Sequence, residues 1–338
     1  MGRIFAADIG GTNARFARFS CENGRLAPET VWRTGSKSLR DAADVLSAMR
    51  GMPGAGPTAG DALAVALAGP VEGLRGSLTN GSLRMDLNGM ASRLGWRGCV
   101  LLNDFAAEAH ATLTDVGARA RRIFGPESSS QRGTRAVFGA GTGLGAASLH
   151  WFGHDDVPLP VRQGGQGSWH AVPSEVGHAP FPFQGEEEQR YANSLVPALG
   201  RDWASVEDVL CGRGLERLHA FLTGRRMEAA EVSREALGDE TPTLRWYARF
   251  LGRFCRIWIC TTLCTGGLWI AGGIAASNPL CVSCQEFFGE LTAGSVLQEM
   301  IERVPIRLAS TTDSGLWGAA RVALQRFFTP ARDGAEFS

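Results

Sequence analysis

Asp8-Ile9-Gly10-Gly11-Thr12-Asn13 is the most informative stretch of the sequence. Residues 3–9 and 14–19 are predicted strands, so residues 10–13 form a hairpin turn between them (the first turn). Backbone N–H groups in such a turn can face an anion, and a carboxylate at a strand end can hold Mg²⁺ directly or through water. We therefore predict a metal-phosphate site made of Asp8, Gly10, Gly11, Thr12 and Asn13. The alternative is an ordinary hairpin with a surface aspartate.

A similar pattern occurs again at residues 136–152, where two short apolar segments flank a glycine-rich turn at residues 141–145 (the second turn). Leu144 stands where the dinucleotide pattern G-x-G-x-x-G requires its last glycine, which disfavours a Rossmann site. Taken alone, this segment is equally well explained as a flexible turn. Because two hairpins on two lobes can grip a polyphosphate from opposite sides, we predict that Gly141, Thr142 and Gly143 also bind phosphate.

The remaining pattern alternates strands with helices, which is typical of an α/β sheet covered on both faces. Further strands are predicted at residues 61–68, 99–102 and 268–271, and helices at residues 38–49, 86–94, 105–113, 186–199, 206–222, 243–263 and 315–328. The clearest linker-like segment contains Gly125-Pro126, which places a domain border near residues 105–135.

Length and charge exclude several classes of protein. The 338 residues suggest two domains, and the 34 basic and 34 acidic side chains cancel, so no net field attracts nucleic acid or an anionic membrane. We therefore expect a small ligand. Lys37 is the only lysine, and it lacks the spacing of a P-loop.

Neither a targeting segment nor a disulfide scaffold is predicted. No signal peptide fits the N-terminus, and the uncharged residues 257–284 contain Gly-Gly pairs and Asn-Pro, so we interpret them as a helix end, a strand and a turn in a cytoplasmic protein. Eight cysteines are too sparse for a disulfide framework. A four-thiolate zinc site is an alternative that the apolar helical pattern disfavours, at Cys260, Cys264, Cys281 and Cys284.

Three further segments carry polar or glycine residues at predicted strand ends or in loops. Asn103-Asp104 follows a buried strand, where Asp104 is either a general base or merely the cap of the next helix. Glu175 and His178 precede two prolines that argue against a metal-binding helix, and they suit hydrogen bonds to a polyhydroxylated ligand. Gly272-Gly273 is either a place where backbone lies against a flat ring or a simple strand-to-helix turn.

Together and in order, these segments resemble the bacterial glucokinase family of the hexokinase and actin superfamily. The motifs that carry the resemblance are residues 7–15, Asn103-Asp104-Phe105, residues 139–145, Glu175-x-x-His178, residues 207–215 and residues 270–274. The resemblance implies a two-lobed actin-like ATPase (ribonuclease H-like) α/β fold with an interlobe cleft. It also implies a small domain of residues 1–114 completed by residues 313–338, and a large domain of residues 115–312.

The resemblance also implies ATP-dependent phosphorylation of the 6-hydroxyl of glucose with Mg²⁺, by a cytoplasmic homodimer that binds no nucleic acid or membrane. The two turns would bind the phosphates, with Asp8 at the metal, and Gly272 and Gly273 would bind adenosine. Asp104 would be the base and would contact the sugar, whose hydroxyls would be bound by Asn103, Glu175, His178 and Glu207. Glu207 is singled out by the resemblance alone.

Two departures from the family pattern leave the sugar open. Val176 stands where the family usually has glycine, and Leu83 stands where it has an aromatic residue. A kinase for another hexose or amino sugar, or a catalytically silent sugar sensor, remains an alternative, and the donor could be ATP, ADP or polyphosphate. The cysteine-rich zinc motif and the N-terminal DNA-binding domain of related repressors are not present in the sequence.

Overall fold

The computed structural model describes residues 2–22, 24–54, 56–153, 167–294 and 296–328. The chain divides into two compact units. Unit 1 comprises Met1–Arg119, Leu149–Val172 and Thr311–Ser338, and unit 2 comprises Ala120–Ser148 and Pro173–Ser310.

The described residues contain both strands and helices in alternation. The strands are β1 (Ile4–Ile9), β2 (Asn13–Glu22), β3 (Arg25–Gly35), β4 (Ala62–Leu67), β5 (Val71–Glu72), β6 (Arg75–Ser77), β7 (Arg84–Asp86), β8 (Gly98–Asn103), β9 (Arg121–Phe124), β10 (Arg135–Ala140), β11 (Leu144–Phe152), β12 (Ser168–Ser174), β13 (Gly267–Ala271) and β14 (Ile306–Leu308). The α-helices are α1 (Ala42–Arg50), α2 (Met90–Leu94), α3 (Asp104–Ala111), α4 (Asp115–Ala118), α5 (Gly185–Leu199), α6 (Val206–Leu210), α7 (Gly212–Thr223), α8 (Ala229–Ala236), α9 (Pro242–Thr262), α10 (Gly273–Ser277), α11 (Gln285–Thr292), α12 (Gln298–Glu302) and α13 (Ser314–Phe327). Short 3-10 helices cover Ser36–Ser38, Val176–His178 and Pro279–Val282.

Unit 1 is built on a five-stranded sheet in the order β3-β2-β1-β4-β8. The strands β1, β4 and β8 are parallel, and all six residues of β4 are buried because α1 packs on one face and α13 on the other. Ile9 lies opposite Leu67, and Leu67 lies opposite Asn103. The carboxyl ends of these three strands therefore lie at one edge of the sheet.

A second sheet has six strands in the order β12-β11-β10-β13-β14-β9, of which β9, β10, β13, β14 and the first half of β11 belong to unit 2. The parallel strands β10 and β13 place Gly139 opposite Ala271, so the second turn and residues 272–273 follow the same edge. The long helix α9 covers this sheet, with the Phe254 ring perpendicular to that of Phe138 at 4.9 Å between centroids. Residues 257–284 form the helix end, strand and turn that the sequence predicts, and none of the described helices combines the length and hydrophobicity of a membrane span.

The predicted α/β class is confirmed, but three predicted helices have wrong bounds. The first begins at Ala42, where Asp41 caps it, and not at Ser38. The second begins only at Met90, because Asp86 belongs to β7 and Gly89 has a φ of 67°. The third, predicted over residues 206–222, is two helices separated at Cys211.

Several parts of the fold were not anticipated. The strand β3, the three-stranded sheet β5-β6-β7 and the shorter elements β9, β12, β14, α8 and α11 are among those with no counterpart in the predicted elements. The assignment of residues 1–114 with 313–338 to one domain and residues 115–312 to another stays a prediction. The observed units differ from it at residues 115–119, 149–172 and 311–312, all of which are grouped with unit 1.

Candidate functional site

The first turn holds a largely buried carboxylate beside an exposed loop. Gly10 donates its N–H to the Asn13 carbonyl oxygen at 3.0 Å, and the Thr12 and Asn13 side chains are exposed. Asp8 lies opposite Arg15 in the hairpin register, and the Arg15 Nη1 to Asp8 Oδ2 distance is 3.0 Å. Burial raises the pKa of Asp8, and the Arg15 guanidinium opposes that rise.

Asn103 and Asp104 have distinct roles where β8 passes into α3. The Asn103 Oδ1 accepts from the N–H groups of Phe105 and Ala106 at 3.0 and 3.2 Å, so Asn103 is the helix cap. The N-cap residue is therefore Asn103, although the Asp104 Oδ1 also accepts from the Phe105 N–H at 3.0 Å. Asp104 is the first residue of α3, partly buried, at the same sheet edge as Asp8. One strand separates β1 from β8, so their backbones are roughly 10 Å apart.

In unit 2, the second turn is held by α6 and α7. Gly141 donates to the Gly143 carbonyl at 2.9 Å, and the Gly141 carbonyl accepts from the Gly212 N–H at 3.0 Å. The Glu207 Oε2 accepts from the Leu144 N–H at 2.8 Å. The side chain that the family resemblance assigns to the sugar thus contacts the predicted phosphate turn directly.

The break between α6 and α7 explains this contact. Ser205 and Asp208 form a capping box that starts α6, and Cys211 is extended, with a ψ of 175°. The chain therefore leaves α6 after one turn and starts α7 at Gly212, whose N–H points to the second turn. A continuous helix over residues 206–222 would have consumed that N–H within its own backbone ladder.

Glu175 and His178 lie together on an exposed segment of unit 2. The His178 Nε2 is 3.6 Å from the Glu175 Oε2, and their side chains are 65% and 86% exposed. The following residue, Ala179, accepts from the Val206 N–H at 2.9 Å, which ties this segment to the start of α6. Glu175, His178 and Glu207 are thereby brought to one region of unit 2.

Gly272 and Gly273 differ in what surrounds them. Gly272 has a φ of 90°, and a Cβ there would lie 2.4 Å from the Ala140 carbonyl oxygen, so this position requires glycine for packing against β10. A Cβ on Gly273 would meet nothing within 4 Å. Open space beside this backbone is compatible with the predicted approach of a flat ring.

Protein ligands for a metal cluster are not assembled within the described residues. Groups of three His, Cys, Asp or Glu side chains suited to a metal ion are absent from that part of the chain, and all eight cysteines are free. Burial raises the pKa of Cys264 and Cys281 to about 12, which keeps their thiols protonated. The zinc alternative therefore gains no support.

Sequence reasoning missed three residues around the Asp8 edge of unit 1. Arg15 could have been found, because a two-strand hairpin after a short turn puts it opposite Asp8. Glu108 and Ser314 could not have been paired, since 206 residues separate the Ser314 hydroxyl from the Glu108 carboxylate that it contacts.

Comparisons with known proteins identify the family and the fold of this chain. A family model described as Glucokinase matches residues 5–326. A glucokinase of Caulobacter vibrioides is 33% identical over 285 residues, with 81% of each chain covered, and one of Nitrobacter hamburgensis is 31% identical over 334 residues, covering 94% of this chain and 96% of the relative. The crystal structure of a glucokinase from an Antarctic psychrotroph has a TM-score of 0.74 at 24% identity, covering 95% of this chain and 98% of that one, which confirms the actin-like ATPase fold. The chain belongs to the glucokinase family.

Proposed function

We propose that this chain transfers the γ-phosphoryl group of ATP to the 6-hydroxyl of glucose. The observation that carries the proposal is the shared sheet edge of unit 1, where Asp8 is the penultimate residue of β1 and Asp104 follows β8 in a glucokinase-family chain. Phosphoryl transfer needs a group to take the acceptor's proton and a cation to neutralise the phosphates, and this edge offers one carboxylate for the proton and another that can hold the cation.

Asp104 acts as the general base in this proposal. Its carboxylate accepts the proton of the sugar hydroxyl while the hydroxyl oxygen forms a bond to the γ-phosphorus and the bond to the leaving oxygen of ADP breaks. Asn103, as the cap of α3, fixes the backbone from which the Asp104 side chain extends. Asp104 is thereby held at the edge of the sheet, with its Oδ1 accepting from the Phe105 N–H.

The two turns and the glycine pair bind ATP. Backbone N–H groups and the exposed Thr12 and Thr142 hydroxyls suit phosphate oxygens, and Gly273 leaves open space for adenosine. Asp8 fits Mg²⁺, because an ion that keeps several waters and binds phosphate oxygens needs only one or two protein carboxylates. When bound, the ion neutralises phosphate charge.

Sugar hydroxyls are bound by Asn103, Glu175, His178 and Glu207. Because the Glu207 Oε2 already accepts from Leu144, the other oxygen, Oε1, is the one offered to the sugar. Glu175 and His178 are the exposed members of this set and therefore the ones whose orientation a ligand can change. The homodimer that the family resemblance implies stays a prediction.

The test is an ADP-release assay on the purified chain across a panel of hexoses and amino sugars. Each sugar is tested with ATP, with ADP and with polyphosphate, and the phosphorylated sugar is identified directly, since ADP and polyphosphate donors do not release ADP. The proposal expects glucose with ATP to give the highest kcat/KM. A higher kcat/KM for another sugar would identify that sugar as the preferred substrate. Sugar binding without any phosphorylated product would indicate a sugar sensor.

A further inference from the structure

The first turn of α13 lies against the helix that carries Asp104. α13 packs on α3 so closely that a Cβ added at Gly318 would lie 1.7 Å from the Ala107 carbonyl oxygen. Two helices this close leave no room for a side chain at the crossing. A shift of α13 therefore has to move α3 as well.

A hydrogen bond joins the two helices at the Asp104 end of the contact. The Ser314 hydroxyl, on the first residue of α13, donates to the Glu108 Oε1 at 2.8 Å. Glu108 is four residues after Asp104, so the two side chains project from successive turns on one side of α3. The bond thus sets the position of α3 just one turn below Asp104.

The same turn of α13 also contacts the carboxylate of Asp8. A Cβ at Gly315 would lie 2.9 Å from the Asp8 Cγ. Ser314 and Gly315 are adjacent in sequence, so one short piece of backbone lies against Asp8 and holds the helix of Asp104. Nothing in the proposed mechanism so far uses this piece.

We propose that Glu108 is a positioning residue for phosphoryl transfer, which acts through Ser314 to fix the first turn of α13 against both Asp8 and the helix of Asp104. This inference rests on the proposed function. Specifically, the hydrogen bond from Ser314 to Glu108 maintains the distance between the carboxylates of Asp104 and Asp8. Glu108 itself does not touch the substrate.

The electrostatic surroundings of Glu108 suit a neutral hydrogen-bond acceptor. Its pKa is raised to about 7, mainly by burial and also by the nearby charges of Asp8 and Asp104, while the Ser314 hydrogen bond and the Arg15 charge oppose that rise. A glutamine at this position keeps the acceptor oxygen without a charge. Glu108→Gln is therefore the conservative variant, and Glu108→Ala removes the contact.

The experiment compares kcat and KM for ATP and glucose in the wild type, Glu108→Gln, Glu108→Ala, Ser314→Ala and the double variant of Glu108→Ala with Ser314→Ala. Misplacing reacting groups by a fraction of an ångström to 1 Å lowers the rate of the chemical step, so Glu108→Ala and Ser314→Ala are each expected to lower kcat about 10- to 100-fold with KM changed less than about 3-fold. The double variant is expected to be no worse than Glu108→Ala, and Glu108→Gln to stay within about 3-fold of wild type.

Thr243→Val is the matched control, because it removes another buried hydrogen bond between two helices, from Thr243 Oγ1 to His219 Nδ1 at 2.9 Å in unit 2. It is expected to lower thermal stability without lowering kcat. Wild-type kcat in Glu108→Ala and Ser314→Ala, or an equal loss in Thr243→Val, would overturn the positioning role. If Glu108→Ala does not fold, Ser314→Ala decides. A wild-type chain inactive in the same assay would instead refute the proposed function.

Discussion

The first and second turns each connect two neighbouring strands and close with a backbone hydrogen bond, but they obtain a carboxylate in different ways. In the first turn, Asp8 belongs to the strand that enters the turn and pairs with Arg15 on the strand that leaves it. In the second turn, Glu207 comes from α6, 63 residues after the Leu144 N–H that it accepts from. The Asp8 carboxylate thus comes from a residue next to its turn in the sequence, whereas the Glu207 carboxylate reaches its turn only because α6 packs there.

Under the proposed function, this difference means that the two turns would contribute differently to ATP binding. A local acid with an adjacent arginine and open turn residues is suited to a metal-phosphate group. A carboxylate whose oxygen is already used by the backbone of the turn instead fixes the shape of that turn. We therefore expect substitutions at Asp8 to affect the chemical step and those at Glu207 to affect ATP binding.

Between the two turns, the larger effect is expected for Asp8→Asn. Loss of the carboxylate that the proposal assigns to Mg²⁺ should lower kcat by about 10²- to 10³-fold and raise the Mg²⁺ concentration required for half-maximal rate. The fold should persist, because burial already disfavours the charged form of Asp8 and Arg15 retains Asp313 at 3.9 Å. A steady-state titration with Mg²⁺ measures this. An unchanged rate and metal requirement would remove Asp8 from the metal site.

A smaller effect is expected for Glu207→Ala. Leu144 would lose its acceptor, and the second turn would lose order, so KM for ATP should rise about 10-fold. Glu207→Gln keeps an acceptor oxygen and should preserve KM for ATP, while KM for glucose rises if Oε1 contacts the sugar. A normal KM for ATP in Glu207→Ala would show that the second turn does not depend on α6.

The smallest effect is expected for the pH dependence of the free energy of unfolding, through Glu108. The pKa of Glu108 is raised from 4.5 to about 7 in the folded protein. Between these two pH values, the folded protein keeps a proton on Glu108 that the unfolded chain has released. The stability that Glu108 contributes is therefore fully present below pH 4.5 and is lost as pH rises through about 7. Denaturant unfolding at several pH values should show a decline of at most about 3 kcal/mol relative to Glu108→Gln. An identical pH slope in both proteins would contradict the raised pKa.

His110, two residues further along α3, titrates with the opposite sign. Burial lowers its pKa from 6.5 to about 3, so its contribution to stability is present above pH 6.5 and is lost as pH falls. The comparison with Glu108→Gln isolates Glu108, because His110 is common to both proteins.

The parts of the site that sequence alone predicts are those encoded by neighbouring residues. Asp8, the glycines of both turns and Asn103-Asp104 all follow apolar strand segments, and the register of parallel strands then places their ends at common edges. The capping of α3 by Asn103 was missed because either residue type caps a helix.

The parts that sequence does not predict depend on contacts between distant segments. The helix break at Cys211 was missed because helical periodicity continues through residues 206–222, although Gly212 and Gly214 gave a local signal. The contacts of Glu207 with Leu144 and of Glu108 with Ser314 form only when separate elements pack, so no pattern within either segment contains them.

The most direct test of the central claim is the single-turnover rate of Asp104→Asn with glucose and ATP, measured beside ATP affinity. Asp115→Asn is the control, because Asp115 is also the first residue of a helix in unit 1. The account predicts a rate about 10²- to 10⁴-fold below wild type, with ATP affinity unchanged and the control at the wild-type rate. A near-normal rate in Asp104→Asn would contradict it.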